Sequence, residues 1–187
     1  MNKKTGKKII LFLAICIPGA LILAVITVAG VFLSKSISKR NDFSAYREDF
    51  EIVEKIIMED YQSNSHNYTY DGLVIYELTY CEDTGLYNCR YLYSDTILEI
   101  NSEYTNCVSN IYSSYATLTS EKWRGYVTIR RNEFIFWNYE TGYSQVIHSL
   151  NGQIPSGAIA TDNYFRETNF DVLGKDWYVF SPKRNYR

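Results

Sequence analysis

Histidine is nearly missing from this chain: two residues of 187, His66 and His148. Catalysis through an imidazole base needs that ring within reach of a nucleophile or of the substrate proton, so only these two positions could supply it. Cysteine is sparse too, at positions 16, 81, 89 and 107. Metal sites of the Cys/His type use ligands at close paired spacings, which these cysteines lack, and no metal or other cofactor is expected. Acidic residues are absent from the first 40 positions, and no residue of either charge occurs between Ile9 and Phe32. No internal repeat or low-complexity segment is visible, which argues against a solenoid.

The uncharged run is what the N-terminus has in place of charge. It exceeds the roughly 20 apolar residues that span a bilayer core. It also exceeds the apolar core of about 7–15 residues in a cleaved secretory peptide, although Val28-Ala29-Gly30 offers small residues at a possible cleavage point. Pro18-Gly19 lies inside it, a pair tolerated in membrane spans. The expected organisation is a basic tail at 1–8, a transmembrane anchor at 9–32, a polar linker at 33–41 and one domain at 42–187. Lys3, Lys4, Lys7 and Lys8 precede the span, and Lys35, Lys39 and Arg40 follow it. That slight excess places the tail in the cytosol and the domain outside the cell membrane.

Charge divides the chain at the same place. The first 40 residues hold seven of the 19 basic groups and none of the 21 acidic ones, leaving the rest net negative by nine. A domain so acidic is a poor nucleic-acid partner, because duplex binding neutralises phosphates with Lys and Arg. A protein partner is expected instead, and an immunity-type role would suit a cationic one.

Within the domain, Asp42 reads as a helix cap. Phe43, Tyr46, Phe50, Val53 and Ile57 follow at spacings of three and four, the one-sided stripe of a helix reaching Gln62. Leu73–Tyr80 and Leu86–Tyr93 read as strands around a turn at Glu82-Asp83-Thr84-Gly85. Thr96-x-x-Glu99 has capping-box spacing, and Ile97, Ile100, Tyr104, Cys107, Ile111 and Tyr115 continue it as a second helix. A β-meander completes the chain: 124–130, 133–139, 143–150 and 176–181. The fold class expected is α+β, one domain of two helices packed on an antiparallel sheet.

A two-residue turn at Arg131-Asn132 sets Ile129 opposite Phe134 and Val127 opposite Phe136, and Val146 joins that face if the turn at Glu140-Thr141-Gly142 has three residues. The other face then carries Arg124, Tyr126, Arg130, Trp137, Tyr139 and Tyr143 among others. Tyr, Trp and Arg are the side chains enriched at interface hot spots, so these six residues form the candidate binding surface. The competing reading of the same face is second-layer core.

Remaining motifs are weaker. A hairpin centred on Gly85 would set Cys81 opposite Cys89, close enough for a disulfide in an oxidising compartment, with Cys107 as the rival partner of either. Asp83-Thr84-Gly85 matches the catalytic tripeptide of aspartic proteases, but Cys81-Glu82 replaces the apolar strand before it and no second copy exists. Ser36-x-x-Lys39 matches a Ser-x-x-Lys nucleophile motif only four residues beyond the span. The sequence therefore reads as a single-pass membrane protein carrying an extracytoplasmic binding module that is not an enzyme. The alternative is an immunity-type inhibitor of a toxin or hydrolase at the cell surface.

Overall fold

The computed structural model describes residues 3–63, 73–92, 97–138, 144–155 and 170–180. The chain divides into two units, Met1–Ser38 and Lys39–Arg187.

The first unit is helical from Lys3 and belongs to α1, Lys3–Ser63. Leu21, Ile22, Leu23, Val25, Ile26, Val28, Val31, Phe32 and Leu33 all expose their apolar side chains. Among the described residues this is the one helix long and apolar enough to cross a membrane. Residues 33–41, expected as a linker, are helical as well, and Asp42 is an internal helical residue rather than a cap. Nothing between Val31 and Ser63 interrupts helix: neither proline nor glycine occurs there, and these are the residues that break one.

The second unit holds the remainder of α1, a second helix α2 at Thr105–Thr119, and eight strands. These are β1 (Val74–Cys81), β2 (Leu86–Tyr91), β3 (Ile97–Glu99), β4 (Tyr126–Arg130), β5 (Glu133–Trp137), β6 (Gln145–Ser149), β7 (Phe170–Gly174) and β8 (Trp177–Phe180). They form one sheet in the order β3-β2-β1-β4-β5-β6-β8-β7, antiparallel throughout. The class is α+β.

This order contains a repeat that the amino acids do not display. Each half is a helix followed by a three-strand meander, α1-β1-β2-β3 and then α2-β4-β5-β6. The first strands of the two meanders pair antiparallel at the middle, Val74 opposite Ile129 and Glu77 opposite Tyr126. The meanders grow outward from that seam, and β8 and β7 extend the second.

Side-chain alternation gives the sheet two apolar faces. On one, Phe43, Phe50, Val53 and Ile57 of α1 and Val108, Ile111, Tyr115 and Leu118 of α2 share a buried cluster with Tyr76, Leu78, Val127, Phe134, Phe136, Val146 and Trp177. The Phe50 ring meets Phe136 edge-on at 4.8 Å. The opposite face carries a smaller cluster of Leu73, Ile75, Ile135, Trp137 and Ile147.

Two expected elements differ. Ile97–Glu99 is not the start of a helix but strand β3, paired with β2 through Cys89 opposite Leu98. A 3-10 turn at Ser102–Tyr104, capped by the Asn101 side chain, precedes α2. Strand β7, for which no element is expected from the sequence, lies on the sheet edge beside β8.

Candidate functional site

The β4–β5 hairpin has the predicted register, with Arg130 opposite Glu133. Its turn places Arg131 at φ 51, a left-handed conformation that side chains other than Gly, Asn and Asp seldom adopt. Arg130 donates from Nε to Glu133 Oε2 at 3.0 Å, and this ion pair is only 21% and 9% exposed. Its charges therefore cancel locally. A second turn faces the first. After β6, the Leu150 N–H donates to Asn132 O at 2.8 Å. Asn151 Oδ1 then accepts from both Ser149 Oγ and the Gln153 N–H, each at 3.1 Å. Between the two turns lies a cavity of 160 Å³, lined by Arg130, Arg131, Asn132, Glu133, Ser149, Asn151, Gln153 and Ile154. Ile154 is 75% exposed at its rim.

Only Arg130 of this cavity belongs to the expected binding surface. Trp137 is 2% exposed and its Nε1–H donates to Thr128 Oγ1 at 2.6 Å, which makes it a buried core residue and not an open contact. Tyr126 is half-buried, its hydroxyl donating to Glu77 Oε1 at 3.1 Å; Glu77 also accepts from Arg90 at 2.7 Å. Arg124 is exposed, and its backbone N–H donates to Asn138 Oδ1. Tyr139 and Tyr143 lie outside the described residues. Of this hairpin's described residues, Arg131 and Asn132 at the turn are exposed, as Arg124 is just before β4.

His148 has a structural setting. Its Nδ1 lies 2.9 and 2.8 Å from the two carboxylate oxygens of Glu54, and its ring stacks on Trp177. This joins α1 to β6. A carboxylate beside an imidazole is also part of a catalytic triad, yet among the described residues no hydroxyl or thiol partners the ring. His66 lies outside the described residues; among the described ones, no group of three or more His, Cys, Asp or Glu could hold a metal ion.

The disulfide is corrected. Cys81, Cys89 and Cys107 are free thiols. The turn takes four residues, so Cys81 stands opposite Leu86 and Cys89 opposite Leu78. That register differs by an odd number of residues from one centred on Gly85, and an odd slip turns a side chain to the other face. Cys89 consequently points into the main core, away from the face of Cys81. Burial pushes the Cys89 thiol well up. The hydrogen bond from Thr84 lowers Cys81. Desolvation, and then Asp49, pushes Cys107 up to about 11.

Asp83-Thr84-Gly85 forms this turn, with Thr84 Oγ1 accepting from the Leu86 N–H. Lys39 pairs with Asp171 at 2.9 Å, so the Ser36-x-x-Lys39 lysine is engaged elsewhere. No family model, curated protein or solved structure matches the chain.

Proposed function

We propose that this protein is a membrane-anchored binding module: tail in the cytosol, single span in the cell membrane, acidic α+β domain outside, and a protein partner recognised by that domain. The observation that carries this reading is helix α1. Its uncharged stretch ends in a row of exposed aliphatic side chains, and its later turns contribute Phe43, Phe50, Val53 and Ile57 to the core. A helix used this way anchors its domain, although the same length and composition fit a signal sequence. The cavity at the β4–β5 turn is the recognition site we favour, since its walls are fixed by hydrogen bonds while its polar groups face outward. Pre-organised polar groups beside apolar surface are the general pattern of a binding site.

The test is crosslinking with a membrane-impermeant reagent on intact cells carrying the full chain tagged at its C-terminus. A crosslinked species containing the tagged chain and a defined partner is expected. A tag that stays protected until the membrane is opened would overturn the orientation, and an unmodified chain would overturn the binding role. A second reading, an immunity-type inhibitor of a secreted toxin, is favoured by the net excess of nine acidic groups in residues 41–187. It predicts a cationic partner whose association rate falls steeply with salt.

A further inference from the structure

We propose that the cavity between the β4–β5 turn and the chain leaving β6 takes the free C-terminal carboxylate of a peptide whose last residue is aliphatic. This deepens the binding-module reading and rests on it.

The argument begins with charge. The domain is acidic overall, but at this cavity Glu133 is neutralised by Arg130. Arg131 has no ion pair among the described residues and is exposed. Among the described residues, the site thus keeps the Arg131 guanidinium uncancelled. A further acid, Asp176, adjoins the loop: a Cβ on Gly152 would lie 3.5 Å from its Oδ1.

Hydrogen-bonding capacity points the same way. Part of the backbone of the two turns is already bonded: Leu150 N–H to Asn132 O across them, and Gln153 N–H to the Asn151 side-chain Oδ1 within the second. The side-chain amides of Asn132 and Gln153 have no partner among the described residues, so they and Arg131 are the groups left to a ligand. Planar guanidinium forks match carboxylates two bonds at a time. The left-handed backbone of Arg131 is the kind of local strain found at ligand clamps.

Size and apolar surface select the form of the carboxylate. The volume of 160 Å³ equals roughly five water molecules, enough for a carboxylate with a short aliphatic side chain. The cavity is partly open to solvent, so a chain end can bring its carboxylate to Arg131 from outside. Exposed Ile154 at the rim offers apolar contact to the terminal side chain. Capture of a C-terminal carboxylate is an established mode of peptide recognition through backbone nests; here side chains would take that role.

The experiment uses the full chain in detergent micelles and a fluorescent pentapeptide ending in valine. Anisotropy should report binding of the free acid, with the C-terminal amide weaker by at least tenfold, the size of a lost charge-assisted bond. Arg131→Ala should cost at least tenfold and Arg131→Lys less, with melting unchanged in both; Arg130 is left intact because its removal would strand buried Glu133. A peptide ending in serine should bind several-fold more weakly. Equal binding of acid and amide, indifference to Arg131→Ala, or absence of binding at millimolar peptide would each overturn the proposal. So would acetate displacing the probe as effectively as unlabelled peptide, since the site would then take any small carboxylate. If the peptide fails while surface crosslinking still captures a partner, this inference falls and the binding module stands.

Discussion

The imidazole of His148 lies flat on the indole of Trp177, ring centroids 4.5 Å apart and planes within 6° of parallel. Its Nδ1 meanwhile meets Glu54 of α1. The pair is mostly buried, at 23% and 12% exposure, so removing either partner leaves the other without its bond in poor solvent. We expect His148→Ala to lose about 1–3 kcal/mol, the cost of an unsatisfied buried polar group. The double variant with Glu54→Ala should cost less than the two single losses together. Urea melts of the four proteins check this, and additive losses would show that the contact is not energetically coupled.

Trp137 gives a second test. At 2% exposure with its indole N–H on Thr128, it should behave as core. Trp137→Ala is expected to cost about 3–5 kcal/mol, a large share of an ordinary domain's stability. Trp137→Phe, which keeps most of the ring but strands Thr128, should cost about 1 kcal/mol. A folded Trp137→Ala domain with near-normal melting would return this face to consideration as a binding surface.

These two residues also mark what the sequence discloses. The register through Ile129–Phe134, Val127–Phe136 and Phe136–Val146 was legible because short turns and period-two alternation leave little freedom. Strand β3 was not: Ile97 and Ile100 stand three apart, which imitates a helical face, and only pairing with β2 makes Ile97–Glu99 a strand. The β1–β2 register failed because the turn's length, not its composition, decides which residues face each other. The α1 segment at 33–41 looked like linker by polarity, yet helix continues wherever nothing breaks it. The cavity was invisible for another reason. Arg131 and Gln153 are far apart in the chain, and the Leu150–Asn132 bond that joins their turns has no sequence signature.

At Gly125 the backbone leaves no room for a side chain. Its φ is +86, and an added Cβ would lie 2.2 Å from Leu78 O and 2.5 Å from Tyr112 Oη. The same contact carries the Leu78 N–H to Gly125 O bond at 2.8 Å, at the seam between the two meanders. Gly85 has a similar φ of +69 but open space, its nearest neighbour being 3.9 Å away. Gly85→Ala should therefore cost about 1 kcal/mol for conformation alone. Gly125→Ala should cost more than twice that, or prevent folding, because two strands must separate. Thermal melting of the pair checks the ranking, and equal losses would mean the seam yields easily.

Thiol chemistry tests the β1–β2 register and the topology together. Thiolate is the reactive form, and the three described thiols differ in how readily they form it. Cys81, lowered by Thr84, should alkylate first near neutral pH. Cys107, pushed up to about 11, should stay protonated and slow until the pH approaches that value. Cys89, buried in the core and raised further, should react only on unfolding. Mass spectrometry after timed labelling gives the order, and fast labelling of Cys89 in folded protein would contradict the register. A Cys81–Cys89 bridge recovered from unreduced protein would contradict it outright, since the two side chains stand on opposite faces of the hairpin. On intact cells, a charged maleimide that cannot cross the membrane should reach Cys81 with the domain outside. Labelling that begins only after the membrane is opened would place the domain in the cytosol and remove the basis for an extracytoplasmic partner.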